Sequence, residues 1–408
     1  MLAHAKGKLF IMRMKVSLFS FFAGIGILDL AFEKNAYNIV FVNEYAELFL
    51  DAYKYAHNQI YHKEPLYGYS NKSAEYYVKR NGKKQLEQLI AAERRRGHLI
   101  GFIGGPPCPD FSIAGKNAGV KGENGRLTKV YFDIICHCRP DFFLFENVKG
   151  LVKTEKHRVF FQEMKFKLRA NSYVIDDTIA NALEYGVPQF RERVFLIGIN
   201  KNLYAYYSET LKFNWKENTI FDIDNILKRN WPKPRAFAVN SHCEPPPPTI
   251  PRKLTVEYWF NRNNVTRHPN GNDIFSVKKG RNKITTIQEG DTSGKSFKRL
   301  HRWKYSPTAA YGNNEVHLHP YQERRLSVSE AMAIQSLPEK FVVLPTLSLS
   351  TKFKMIGNGV PFLMAFAIAR TLKSTLKDLK KNNIIVFAQL LNEIAKHKQE
   401  ENNETYRN

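Results

Sequence analysis

Little in this sequence can be cross-linked. The 408 residues hold four cysteines, Cys108, Cys136, Cys138 and Cys243. No two form a Cys-x-x-Cys pair, which argues against a zinc site of the usual spacing. No run of about 18 apolar residues occurs, so no membrane-spanning segment is expected. The only apolar stretch near the start, Leu9 to Met12, is too short for a signal-peptide core, and no small-residue cleavage site follows. A cytoplasmic protein is expected. Acidic residues are also scarce. Lys and Arg number 62 against 38 Asp and Glu, a formal charge of +24. A field of that sign favours polyanions, with nucleic acid first and acidic membrane surfaces second.

At this length the chain can hold one large α/β domain and a second, smaller one. Lys15 to Phe21 reads as a strand, followed by the glycine turn Phe22-Ala23-Gly24-Ile25-Gly26 and a helix-period stretch, Ile27 to Lys34. Strand, glycine turn and helix make a nucleotide-binding unit when the backbone approaches a ligand at the helix N-terminus. The same pattern also occurs in purely structural turns. A second strand, Ile39 to Val42, ends in Asn43-Glu44. An acidic residue about twenty positions past the glycines can accept both hydroxyls of a ribose. This much is shared with nicotinamide dehydrogenases.

A third apolar run, Leu99 to Ile103, is stopped by Gly104-Gly105-Pro106-Pro107 and leads to Cys108. Ligands and chemistry gather at the carboxyl ends of strands in open α/β sheets. A thiol held there by a stiff turn is placed to act as a nucleophile. Asp141 to Phe145 runs into Glu146-Asn147-Val148, and Gln189-Phe190-Arg191-Glu192-Arg193 precedes a strand, Val194 to Ile199. Strand alternation would put Gln189, Arg191 and Arg193 on one face. Cys136-His137-Cys138 lies in an apolar helical run and is read as helix, not as a metal site. Lys116 to Arg126, rich in Gly and Lys, reads as a loop able to close over substrate. Between 201 and 320 twenty Lys and Arg stand against ten Asp and Glu, around a stiff Pro245 to Pro248 linker.

Gly-Pro-Pro-Cys followed by Phe-Ser, Glu-Asn-Val and Gln-x-Arg-x-Arg, in this order, resemble the motifs of the C5-cytosine DNA methyltransferases. So do Arg325-Leu326-Ser327-Val328-Ser329-Glu330 and Gly357-Asn358-Gly359-Val360-Pro361. The similar blocks cover 15–199 and 320–370. Pro109 stands where the family most often has Gln, and Ile27 where it usually has Gly. The resemblance implies an α/β, Rossmann-like domain dependent on S-adenosylmethionine, with a smaller, irregular target-recognition domain. It implies Cys108 as nucleophile, Glu146 as the acid at cytosine N3, Arg193 as donor to O2 and Arg191 as support for the Cys108 loop. Phe22, Gly24, Ile25, Gly26, Glu44, Pro106, Asn358 and Val360 would bind the cofactor, and no metal is expected. The acidic residue that holds adenine in the family is not placed.

The expected organisation is an N-terminal extension to 14, a catalytic domain over 15–199 and a recognition domain over 200–320. The catalytic domain is completed over 321–372, and a basic C-terminal helix and tail follow over 373–408. Double-stranded DNA is the expected partner, with a restriction endonuclease as functional pair and a monomer as the simplest state. A tRNA-methylating enzyme of the same fold is the alternative, against which the long basic 200–320 segment weighs.

Overall fold

The computed structural model describes residues 14–107, 123–203, 212–242, 244–276, 281–294, 296–308, 311 and 316–380. Cys108, Pro109, Cys243 and the tail from 381 lie outside the described residues. So does most of the Lys116–Arg126 segment. Its last residues, from Glu123, already begin a helix instead of a loop.

The chain alternates strand and helix through its first half. In order come β1 (Val16–Phe21), α1 (Ile27–Lys34), β2 (Asn38–Asn43), α2 (Glu47–Tyr61), β3 (Tyr69–Ser70), α3 (Arg80–Arg95) and β4 (Leu99–Gly104). Then follow α4 (Glu123–Cys138), β5 (Phe142–Val148), α5 (Gly150–Lys153), α6 (Glu155–Ala170), β6 (Tyr173–Asn181) and β7 (Glu192–Asn200). The seven strands form one sheet in the order β3-β2-β1-β4-β5-β7-β6. β1 to β5 are parallel, and β6 and β7 are antiparallel to each other, with β7 antiparallel to β5. β1 is buried along its whole length, as a strand covered by helices on both faces must be. From β1 the chain winds outward to β2 and β3, then returns to β4 on β1's other side. This reversal opens a crevice beyond the carboxyl ends of β1 and β4.

The second half is less regular. It contains α7 (Ile223–Leu227), α8 (Val256–Arg262), α9 (Arg281–Thr286) and a two-stranded parallel sheet of β8 (Phe297–Arg299) and β9 (Val316–Leu318). α10 (Val328–Ile334) opens on a capping box. The Ser327 hydroxyl accepts from the Glu330 N–H, and the Glu330 carboxylate accepts from the Ser327 N–H. α11 (Leu349–Asn358) ends inside the glycine-rich stretch Gly357–Gly359. A further helix runs from 362 to 380, directly after Pro361. The stretch Leu349–Lys380 is long and apolar enough to cross a membrane by composition alone, but 67% of its apolar window is buried against the rest of the protein. It is a core element.

Candidate active site and cofactor crevice

The register of the sheet builds the site. Phe21 pairs with Gly104, Gly104 with Phe145, and Phe145 with Leu196, so one row of residues marks the sheet edge. Glu146 stands one residue beyond that row, within β5 and not after it. On the neighbouring antiparallel strand Arg193 pairs with Val148, which makes it the diagonal neighbour of Glu146 on the same face. Its Nε lies 3.1 Å from Glu146 Oε1. The carboxyl is 7% exposed. Burial pushes its pKa up, and the Arg193 and Arg191 cations pull the other way without cancelling the rise. A carboxyl so placed can carry a proton to a base in the crevice.

The turn after β4 comes close to this carboxyl. A Cβ at Gly105 would stand 2.7 Å from Glu146 Oε2, so a side chain there would push the carboxylate from its place. Pro106 is buried, and the Asn147 side chain donates a long 3.4 Å bond to its carbonyl. Asn147 is itself 1% exposed. The described part of the Cys108 loop is thus carried directly over the Glu146–Arg193 pair.

The three residues expected on one face separate. β7 begins at Glu192, so period-two alternation does not reach back to Gln189. Arg193 faces Glu146, while Arg191 turns inward. Arg191, 1% exposed, donates through Nη2 to the carbonyls of Gly357 (2.6 Å) and Gly359 (3.1 Å). These bonds tie it to the loop carrying Asn358 and Val360. Gln189 Nε2 approaches Gln335 Oε1 at 3.4 Å, and Gln335 Nε2 donates to Ile356 O at 2.9 Å. Gln335 is a buried amide that the motif reading passed over. Its position one residue past α10, in a run of apolar residues, is the one hint the chain gives.

The cofactor candidates gather around the β1 and β2 ends. Gly24 (φ 59°) donates its N–H to Glu44 Oε2 at 2.8 Å, and Ala46 N–H reaches Oε1 at 2.9 Å. Burial raises the Glu44 pKa against these bonds. A Cβ at Gly24 would meet nothing within 4 Å, so the space in front of it is open. Phe22 is half-buried with φ 54°, its ring edge-on to Tyr131 at 5.9 Å. Ile25 points into the core at 2% exposure, so its side chain does not line the crevice. Gly26 (φ 80°) serves packing first, because a Cβ there would stand 2.1 Å from His57 and 2.6 Å from Tyr53 on α2. Asn358 is exposed and Val360 buried. Ile27 fills the space beside Gly359, where a Cβ would lie 2.4 Å from its Cδ1. Missed by sequence reading is Asn43. It is buried and donates to the carbonyls of Ser70 (3.1 Å) and Lys72 (2.7 Å), fixing the loop after β3 beside Glu44.

Among the described residues no three His, Cys, Asp or Glu side chains gather as metal ligands. Cys136 and Cys138 are buried on α4, and burial pushes their thiols up to about 11 and about 12.

The chain is 50% identical over 366 residues to a Type II methyltransferase, M.NmeDI, of Neisseria meningitidis serogroup C, covering 90% of this chain and 85% of the relative. It is 28% identical to the Type II methyltransferase M.FnuDI of Fusobacterium nucleatum, over 90% and 96% of the two chains. The fold matches the crystal structure of S. pombe Dnmt2 methyltransferase with a TM-score of 0.55 at 11% identity, over 88% of this chain and 99% of that one. A prophage-encoded E. coli protein matches with a TM-score of 0.60 at 20% identity, over 89% and 100%. The family model for C-5 cytosine-specific DNA methylases matches residues 16–374, and the chain belongs to that family.

Proposed function

We propose that the protein is the modification enzyme of a Type II restriction system, methylating one cytosine of a short duplex sequence at C5. The observation that carries this reading is the buried Glu146–Arg193 pair under the Gly105-Pro106-Pro107 turn. A raised carboxyl and a fixed guanidinium side by side suit a ring that must be protonated at one atom and hydrogen-bonded at the next.

The residues around Gly24 and Glu44 fit S-adenosylmethionine. Glu44 would accept the ribose hydroxyls, the Gly24 backbone would line the chain of the ligand, and Phe22, Pro106 and Val360 would form its apolar walls. When bound, that cofactor supplies an electrophilic methyl group. The protein's own residues prepare the cytosine. The Cys108 thiolate adds to C6. Glu146 gives its proton to N3 as the ring accepts the electron pair. Arg193 donates to O2, where negative charge develops. Loss of the C5 proton to water, elimination of the thiolate and return of the N3 proton to the Glu146 carboxylate restore the ring and the acid. Arg191 holds the 357–359 carbonyls, so the cofactor wall and the arginine segment keep one geometry.

The target carbon is inaccessible within a stacked duplex, so the base must be flipped at a cost of a few kcal/mol. Lys and Arg contacts to phosphate offset this cost and make binding fall with salt. The catalytic part spans 15–199 and 321–372, and 200–320 carries recognition. The enzyme works as a monomer in the cytoplasm, paired in function with a restriction endonuclease.

The test is bisulfite sequencing of mixed-sequence duplex DNA incubated with the protein and S-adenosylmethionine, with tRNA as competitor. One cytosine converted within a fixed short sequence supports the reading. Methylation of tRNA alone overturns the DNA assignment, and full activity of Cys108→Ala overturns the nucleophile.

A further inference from the structure

A cleft of about 370 Å³ opens where the Gln189–Arg193 segment meets the recognition region. It lies between Phe190 on one side and Thr292, His301, Lys304, Tyr305 and Thr308 on the other. The two sides are stitched together through the backbone. Phe190 N–H donates to Ser306 O and Ser306 N–H to Pro188 O, both at 2.8 Å. The Thr308 hydroxyl donates to Phe190 O at 2.6 Å. The Tyr305 ring lies 6.5 Å from Phe190 and edge-on to Trp231 at 4.9 Å. Anything held in this cleft therefore sits three residues along the chain from Arg193, in a fixed relation to the base site.

The polar lining offers hydrogen-bond donors. No carboxylate of the described residues lines the cleft. His301 Nδ1 accepts from the Trp303 N–H at 3.0 Å, which leaves the ring proton on Nε2. Burial lowers the imidazole pKa to about 4, so the ring stays neutral near pH 7 although Glu289 Oε1 lies 3.9 Å from Nδ1. The Lys304 ammonium makes no ion pair among the described residues; it lies 5.9 Å from the centre of the Tyr305 ring. Donors against an aromatic wall call for a flat ligand with an acceptor edge. A strongly hydrated phosphate would gain nothing from Phe190 and Tyr305. In the major groove guanine alone presents two acceptors, N7 and O6, with no donor beside them.

We propose that this cleft reads one guanine of the target sequence, with Lys304 and His301 Nε2–H donating to its acceptor edge and Phe190 and Tyr305 forming the apolar wall. The assignment rests on the DNA-methylating function proposed above. It makes Lys304 a determinant of specificity instead of a general anchor.

The experiment compares the wild-type protein with Lys304→Met, Lys304→Arg and His301→Gln on a randomised duplex library read by bisulfite sequencing. Salt dependence of binding and thermal melting are recorded for each. The wild type is expected to require guanine at one fixed position near the cytosine. Lys304→Met should relax that position about tenfold or more while other positions keep their preference. Lys304→Arg should retain the guanine, and His301→Gln should relax the same position. A loss uniform across all sequences, with the salt slope reduced by about one, would make Lys304 a phosphate contact and overturn the proposal. An unchanged preference in a folded Lys304→Met variant would overturn it equally. If the wild type methylates no cytosine in duplex DNA, the function itself fails, and that outcome is visible before any variant is read.

Discussion

The two halves of this protein hold their charges in different ways. In the sheet half, most ion pairs sit at the surface, as Lys129–Asp133 and Lys149–Glu192 do, while Glu146–Arg193 is buried where the reaction is proposed to occur. In the irregular half, charged side chains form the interior. Arg302 and Arg299 are fully buried. Glu289 accepts from Arg302 Nε at 2.8 Å and from Arg235 Nε at 3.0 Å. Arg299 donates to four backbone carbonyls, those of Ile284, Ile287, His319 and Gln322. A sheet satisfies its own backbone, so its charges are free for chemistry. A region with two three-residue strands leaves carbonyls that buried arginines must satisfy.

The largest effect should come from the buried pair in the sheet. Glu146→Gln keeps the shape and the Arg193 contact but has no proton to give. Turnover should fall about 10²- to 10⁴-fold with unchanged melting temperature. The pH profile sharpens the assignment. Because the Glu146 pKa is raised, the limb on which the acid form is lost should lie above the ordinary carboxylate range. Arg193→Gln removes a cation that lowers that pKa, so the limb should move to still higher pH. A limb that stays put in Arg193→Gln would detach Glu146 from the profile.

Next comes the interior of the irregular half. Glu289→Ala leaves Arg302 buried without its carboxylate. Breaking such a pair costs about 3–5 kcal/mol, read as a shift of the urea midpoint. Burial pushes the Glu289 carboxyl up, but the Arg302 bonds and the neighbouring His301 outweigh it, leaving its pKa below the usual value. The stability it contributes is therefore present above the unfolded carboxylate pKa and lost as pH falls through the lowered one.

How much of this was legible in the chain follows the same division. β1, β2, β4 and their turns were readable because buried parallel strands are apolar runs ended by Gly, Pro or an acidic residue. Glu44, Glu146 and Arg193 were legible with them. That the Ile25 side chain enters the core and that Gly26 lies against His57 and Tyr53 of α2 was not readable, because α2 is brought in by tertiary contact. Arg191 stands just before β7, which begins at Glu192, so the expected alternation with Arg193 does not extend to it. Nothing local marks the Arg302–Glu289 pair, whose members are thirteen residues apart, or the Gln335 amide that meets Ile356 twenty-one positions on. Their partners are set by packing, and no periodicity encodes them.

A buried carboxyl beneath the glycine turn gives an effect of intermediate size with the opposite sign in pH. Asp29 is fully buried and accepts from the Ser20 (2.7 Å) and Tyr53 (2.9 Å) hydroxyls, and burial raises its pKa to about 6. The folded state holds its proton more tightly than the unfolded chain. Stability from this group is thus full below pH 4 and lost as pH rises through 6, a span of about 3 kcal/mol. Asp29→Asn should flatten that part of the urea midpoint against pH. An unchanged slope would mean the carboxyl stays solvated.

The smallest effect tests the comparison itself. Lys149 reaches Glu192 at 2.6 Å, with the two side chains 39% and 27% exposed. The geometry is as short as the buried pairs, but water screens both groups and the long lysine chain loses freedom in holding them together. Lys149→Met should therefore cost less than about 1 kcal/mol in the urea midpoint. The distance alone would rank this pair above Arg302–Glu289, while burial ranks it far below. A cost for Lys149→Met near that of Glu289→Ala would mean that contact distance, and not desolvation, sets the strength of charge pairs in this protein, and the distinction between its two halves would fall.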